Sequence, residues 1–274
     1  RMSITLLMSR RILKRGLTGT LALLAGLFLF EFVQPLVANS VGGGKGIANL
    51  VESLPPAFQA VLRTQPEFMA ISGLAGYLSI GFSHPLFFVL TTAILAALIC
   101  RSIAGEYESG TMQLALSRSI SRGSVYVSRL IAILLVIVVA VAVTIAGMVT
   151  GIQVGKPEGS FDYAHLLPTA FVTFLLLWAI AGVALLLSAL ADTTSQAIGW
   201  TTGFVVISFV IDYLSGLWGA IKPFGPISFY HYFDPATSLI LGEVSIRDTL
   251  VLFLVGVIGG AAGYAVFRNR DLPS

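Results

Sequence analysis

Residues 130–155 read LIAILLVIVVAVAVTIAGMVTGIQVG, a run without a single charge. A helix rises about 1.5 Å per residue, so about 20 apolar residues cross the ~30 Å hydrocarbon layer of a bilayer. This run is longer than that. Working outward, five further uncharged runs flank it: Gly16–Phe30 and Phe68–Cys100 before it, Tyr163–Ala191, Thr193–Ile211 and Thr249–Phe267 after it. Phe68–Cys100 has room for a re-entrant or interfacial lead-in as well as a span. The pattern predicts an all-α membrane protein with six transmembrane helices, near 17–38, 83–103, 126–152, 164–190, 196–218 and 247–267. These make one transmembrane domain over 1–274, with a short polar segment at 104–125.

Composition agrees. Of the 274 residues, 56% are hydrophobic and 11% charged, a balance that leaves too few charges to coat a soluble domain. Cys100 is the only cysteine, so no intrachain disulfide or cysteine metal cluster exists, and it reads as a small packing residue. Lys and Arg divide unequally between the two sides. Arg1, Arg10, Arg11, Lys14, Arg15, Arg101, Arg118, Arg122, Arg129, Arg268 and Arg270 fall on one side; Lys45, Arg63, Lys156, Lys222 and Arg247 fall on the other. The positive-inside rule then predicts cytoplasmic termini and a cytoplasmic 104–125 segment. Topology accounts for the net charge of +3, and no nucleic-acid partner is implied.

The connections carry weaker signals. Gly42-Gly43-Gly44-Lys45-Gly46 lacks the Gly-Lys-Ser/Thr order of a phosphate loop and reads as a hinge within the long outer loop 39–82. Pro55, Pro56 and Pro66 break the rest of that loop into interfacial segments. Asp192, Thr193, Thr194 and Ser195 offer oxygens to cap the fifth span. Pro223, Pro226 and Pro235 forbid one straight helix between spans five and six, so broken helices dipping into the outer leaflet are expected there. Gly147, Gly151 and Gly155 form one small-residue ladder, and Gly256 with Gly260 beside Gly259 with Gly263 another. Such ladders let helices approach closely, within the chain or against another chain.

The 104–125 segment is too polar to be embedded and too short to be a domain. It carries Glu106, Glu108, Gly110, Thr111, Leu114, Leu116, Ser117, Arg118, Ser121 and Arg122, followed by Arg129. Gly110 interrupts the helix leaving span two, and Thr111 is placed to cap a short helix lying on the inner surface. Here the chain resembles the permease subunits of ABC-2 type transporters, which carry Glu-x-x-x-Gly-Thr, a leucine-rich turn and Ser-Arg-Pro-x-Ser-Arg at this place. Ser119 stands where that family usually has proline, and Arg129 where it often has lysine. The stretch Phe229-Tyr-His-Tyr-Phe-Asp234-Pro235 is similar to the family's aromatic-Asp-Pro sequence before its last span.

The resemblance implies half of an exporter in the plasma (inner) membrane of a prokaryote. Six spans would pair with a second permease half, a copy or a relative, and two ATPase subunits would bind beneath, carrying the ATP and Mg that this chain does not bind. It implies a cytoplasmic N-terminal elbow helix, and a coupling helix in which Glu106, Glu108, Gly110, Thr111, Leu114, Arg118 and Arg122 meet the ATPase. Around Ile4–Arg15 the elbow is imperfectly amphipathic, because Arg11 falls between Ile4 and Met8 on the wheel. Arg118 and Arg122 also fit a plain role as anchors to anionic lipid, and Glu106 either pairs with an inner arginine or docks on the partner.

Glu31 lies within an apolar run, where an ionised carboxylate costs ~2.5–3.5 kcal/mol or more, so it faces protein or water; an outer-loop amide and a substrate are both open as partners. Asp212 poses the same choice. With Tyr232, Phe233 and Asp234 they are the candidates for a pathway or outer gate. His84, His165 and His231 lack metal-ligand spacing, and no Walker or hydrolase motif is present, so catalysis by this chain is not expected. A non-transporting ABC-type membrane module, sensing or assembling rather than exporting, is the alternative; an intramembrane lipid enzyme is a distant third.

Overall fold

A computed structural model describes residues 4–40, 66–112 and 121–270. Six helices are long and apolar enough to cross a membrane: α2 (Leu17–Ser40), α4 (Pro85–Ser102), α6 (Arg122–Gly155), α7 (Leu166–Leu190), α8 (Thr194–Leu217) and α10 (Ile246–Asn269). Between them lie α1 (Ile4–Arg15), α3 (Pro66–Ser83), α5 (Ala104–Glu108), α9 (Pro235–Leu241) and 3-10 turns at Tyr163–His165, Lys222–Ile227 and Phe229–Tyr232. Among the described residues there is no strand, and the fold is the expected all-α bundle of six apolar helices. The glycine hinge at 42–46, the prolines at 55 and 56, and Leu114 and Arg118 lie outside the described residues.

Short polar side chains set the helix starts. Ser121 Oγ accepts from the Ser124 amide (3.1 Å), Thr193 from Gln196 (3.2 Å) and His84 Nδ1 from Leu86 (3.1 Å), the last with Pro85 in the first turn, where its missing N–H costs nothing. At the other end of α6, Lys156 adopts φ 41°, the left-handed turn that ends a helix. The run 68–100 resolves into α3 and α4, separated by the break at His84.

α4 and α7 form the centre: 67% of the apolar stretch of each is buried inside the chain, against 28% for α2 and α8. Two glycine seams draw the outer helices onto this centre and onto each other. Gly147 and Gly151 of α6 lie on the backbone of α2; a Cβ on Gly147 would sit 2.6 Å from the Phe28 carbonyl oxygen. Gly256, Gly259 and Gly263 of α10 lie on α7 at Trp178, Gly182 and Leu185, and a Cβ on Gly259 would sit 2.5 Å from the Gly182 carbonyl carbon. Both ladders therefore pack within the chain. Gly260 is the exception: its Cβ position has only Leu185 Cδ1 near it, at 3.9 Å, and its carbonyl accepts the Tyr126 hydroxyl (2.7 Å).

The bundle has two unlike ends. α1, α5, the start of α6, the α7–α8 turn and the end of α10 gather at the end that carries both termini. α1 docks there through Ser9, whose hydroxyl donates to the Ser128 carbonyl (2.8 Å), and through buried Ile12. At the far end, residues 218–245 are broken into 3-10 turns and α9, as the prolines require. Phe229, Tyr230 and Phe233 turn inward there instead of rimming the bundle, and Tyr230 packs on Phe88 at 4.7 Å between ring centroids.

Candidate functional site

The segment expected to meet a partner is built on α5. Ile103, at φ −115° and ψ −75°, offsets α5 from α4, and Gly110 turns the chain away at φ 68°. Gly105 is required for α5 to lie against α8, since a Cβ there would come within 2.9 Å of Thr194 Oγ1. Each of the next three residues then reaches a different helix.

Glu106 forms an ion pair with Arg129 of α6, whose side chain is 1% exposed. Arg129 also donates to the Ser102 carbonyl (3.3 Å), the Val125 carbonyl (2.9 Å) and Ser128 Oγ (2.9 Å). A guanidinium taken out of water loses several kcal/mol of hydration, and the carboxylate with three further oxygens offsets that loss. Tyr107 sets its ring edge-on to Phe267 of α10 (5.8 Å) and donates to the Phe267 carbonyl (3.5 Å); the Arg270 guanidinium lies over the ring at 4.6 Å. Glu108 accepts from the Thr194 amide (2.8 Å) and hydroxyl (2.7 Å), placing a carboxylate on the amide-rich start of α8.

Two arginines close the ring of contacts. Arg122 donates to the carbonyls of Phe267 (3.3 Å), Arg268 (2.9 Å) and Arg270 (2.5 Å), the oxygens that the end of α10 leaves without helical partners. Arg270 in turn donates to the carbonyls of Ala189 (2.8 Å) and Ala191 (2.7 Å) and pairs with Asp192 (2.5 Å). The ends of α4, α6, α7, α8 and α10 are thus tied through one five-residue helix and two arginines. The helix that Thr111 is expected to cap continues outside the described residues; the Thr111 hydroxyl also reaches back to the Glu106 carbonyl (3.4 Å). Beside α5, a cavity of about 580 Å³ opens between the α1–α2 turn and α4, lined by Ile12, Gly16, Thr20, Leu98, Arg101 and Glu106.

Sequence reasoning placed Glu106, Glu108 and Arg122 at this end, read Asp192 only as a helix cap and Arg270 only as a charge that sets topology, and missed Tyr107. The signal for Arg129 was its position as the eighth residue of α6, after which the helix is uncharged through Gly155. The contacts of Tyr107, Asp192 and Arg270 gave none, because they join residues roughly 80 to 160 positions apart.

The far-end candidates fall in two places. Glu31 is fully buried where α2 meets Gly81 of α3 and Gly147 of α6. Asp212 of α8 is buried and faces His231 Nδ1 at 3.7 Å. Near it, the Tyr232 hydroxyl donates to the Pro226 carbonyl (3.0 Å), Phe233 is buried, and Asp234 caps α9 by accepting from the Thr237 amide (3.0 Å).

The family model described as ABC-2 family transporter protein matches residues 10–272. No curated protein matches the chain.

Proposed function

The chain belongs to the ABC-2 family of transporter proteins, the membrane components of ABC transporters, and on that premise we propose that it is the permease subunit of an ATP-driven exporter. ATP and Mg are the business of a separate ATPase, since this sequence carries no Walker motif. One ATPase binds beneath the 104–125 segment of each permease half, in the cytoplasm, the side to which the Lys and Arg distribution assigns both termini. A second six-helix half completes the path, whose apolar walls suit a hydrophobic cargo, in a prokaryotic plasma membrane.

The observation that carries this reading is the wiring of α5. A push on the chain after Gly110 reaches α6 through Glu106–Arg129, α8 through Glu108–Thr194 and α10 through Tyr107 and Arg122. Rigid-body levers of this kind are what alternating access needs. The elbow role falls to α1, held on α6 by Ser9 and Ile12.

Isolation of the chain from its host in a gentle detergent, followed by reconstitution into liposomes, tests the proposal. An ABC ATPase should co-purify with it, and ATP should drive outward movement of an amphiphilic probe dye. Absence of any ATPase overturns the reading. Vigorous ATP turnover without flux of any apolar probe rejects the exporter in favour of a non-transporting module.

A further inference from the structure

Glu31 is the deepest anomaly in the fold. Its carboxyl group has no exposed surface, and among the described residues neither oxygen has a hydrogen-bond partner. It sits about fifteen residues into α2, some 22 Å along the helix axis. An ionised carboxylate in such a place, with no donor and no cation, is among the costliest states a membrane protein can hold.

The surroundings leave little to share the charge. On α3, a Cβ at Gly81 would lie 3.2 Å from Oε2 and 3.5 Å from Oε1, so the carboxyl touches bare backbone. On α6, a Cβ at Gly147 would lie 3.2 Å from the Glu31 Cβ. Hydroxyls on these two helices are turned back on their own backbones: Ser79 on the Gly76 carbonyl, Thr144 on Ala140 and Thr150 on Ala146. α6 has no charged residue between Arg129 and the Lys156 that ends it, and α4 none before Arg101. Among the described residues α3 carries Glu67 in its first turn and Tyr77 further along, and His84 follows it, its ring 5.3 Å from that of Phe30. Gln34, one turn further along α2, lies against the same Gly81 position (3.4 Å from its Cγ) and is a polar but uncharged neighbour. A proton cancels the charge without calling for any further ligand.

The lid over this group is α3, seated by the buried side chains of Leu74, Leu78 and Phe82 and articulated at both ends of that stretch. α3 is not one of the six spanning helices, it is kinked at Gly73 (φ 55°, ψ −132°), and the chain breaks again at His84. Among the described residues nothing lies within 4 Å of the Gly73 Cβ position.

We propose that Glu31 is a proton-binding site: with α3 seated it is the neutral acid, and when α3 swings off at Gly73 the carboxyl meets water and releases its proton at the far end. The exchange is a plain acid dissociation, Glu-COOH and water giving Glu-COO⁻ and hydronium. Reseating α3 requires the proton to return. The site does not depend on the exporter reading, because it needs only the chain in a bilayer.

The test places Ser79→Cys, a near-isosteric change on the buried face of the lid itself, in a Cys100→Ser chain held in lipid nanodiscs. Labelling by a membrane-impermeant maleimide is followed against pH, with and without Glu31→Gln. At acidic pH both should label slowly. At alkaline pH the chain retaining Glu31 should label several-fold faster than the Glu31→Gln chain, which supplies the baseline for thiol ionisation. Superimposable profiles overturn the proposal. In the unaltered chain, dicyclohexylcarbodiimide, which attacks buried protonated carboxyls, should modify Glu31 at low pH and progressively less as pH rises, read by peptide mass spectrometry. Modification independent of pH, or protection by sodium at fixed pH, overturns it as well.

Discussion

Arg129 entered the sequence reading as one of eleven basic residues that orient the chain, and the fold gives it a second task. Its side chain is buried at the start of α6 with Glu106 as counter-ion. Charge counting sees which side an arginine is on; it cannot see that a carboxylate 23 positions earlier will reach it, because that pairing exists only once α5 is offset at Ile103. Of the two partners open to Glu106, the structure supplies the inner arginine. Removing one member of a buried pair strands the other: Glu106→Ala should cost about 3–5 kcal/mol, measured as a lowered midpoint of thermal unfolding in detergent. Adding Arg129→Met to it should recover most of the loss, since nothing charged is then left inside. A single variant as stable as the unaltered chain would contradict the burial. The pair of measurements also guards the functional test, because loss of transport in Glu106→Ala has meaning only against its stability.

At the scale of elements, helix existence was legible in runs of apolar residues, and helix faces were not. The glycines make the point. Period-four spacing advertised Gly256 with Gly260 and Gly259 with Gly263 alike, yet only Gly256, Gly259 and Gly263 press tightly on α7, whereas Gly260 meets it through the Leu185 side chain alone, at 3.9 Å. Sequence spacing admits either face, and only the position of Gly182 across the seam chooses. α1 repeats the lesson: its wheel was judged on Ile4, Met8 and Arg11, whereas its docking face is Ser9 and Ile12, fixed by a hydroxyl bonded to a carbonyl 119 residues away. Gly182→Ala and Gly259→Ala should each push α7 and α10 apart at a cost of about 1–3 kcal/mol, the usual price of overpacking. Gly260→Ala, whose Cβ would make only an ordinary 3.9 Å contact with Leu185 Cδ1, should be neutral or slightly stabilising, since alanine favours the helix by ~1 kcal/mol over glycine. Parallel melting curves of the three variants check this, and equal losses at all three would mean that the seam is misplaced.

Across the whole molecule, polar ties concentrate at one end and aromatic packing with buried acids at the other. The sequence announced the asymmetry through its charges, because an even number of spans puts both termini on the Lys- and Arg-rich side. It did not announce that those charges are spent on one another and on helix ends. Arg270 joins the end of α10 to the α7–α8 turn and to Tyr107, so it closes a loop of contacts that would otherwise leave α10 attached to α5 only through the Tyr107–Phe267 contact. At the far end α8 and α10 are separated by 3-10 turns, so the stiff end is suited to receiving force and the broken end to opening. If force from an ATPase enters at the 104–125 segment, Arg270→Ala should leave ATPase binding and hydrolysis in place while transport per ATP falls by roughly 5-fold or more, the size of a typical coupling between sites. Flux and ATP turnover measured on the same reconstituted complex give that ratio, and a melting curve separates it from simple unfolding. An unchanged ratio in a stably folded variant would mean that force reaches α10 by another route, with Arg122 on the α10 carbonyls as the next contact to cut.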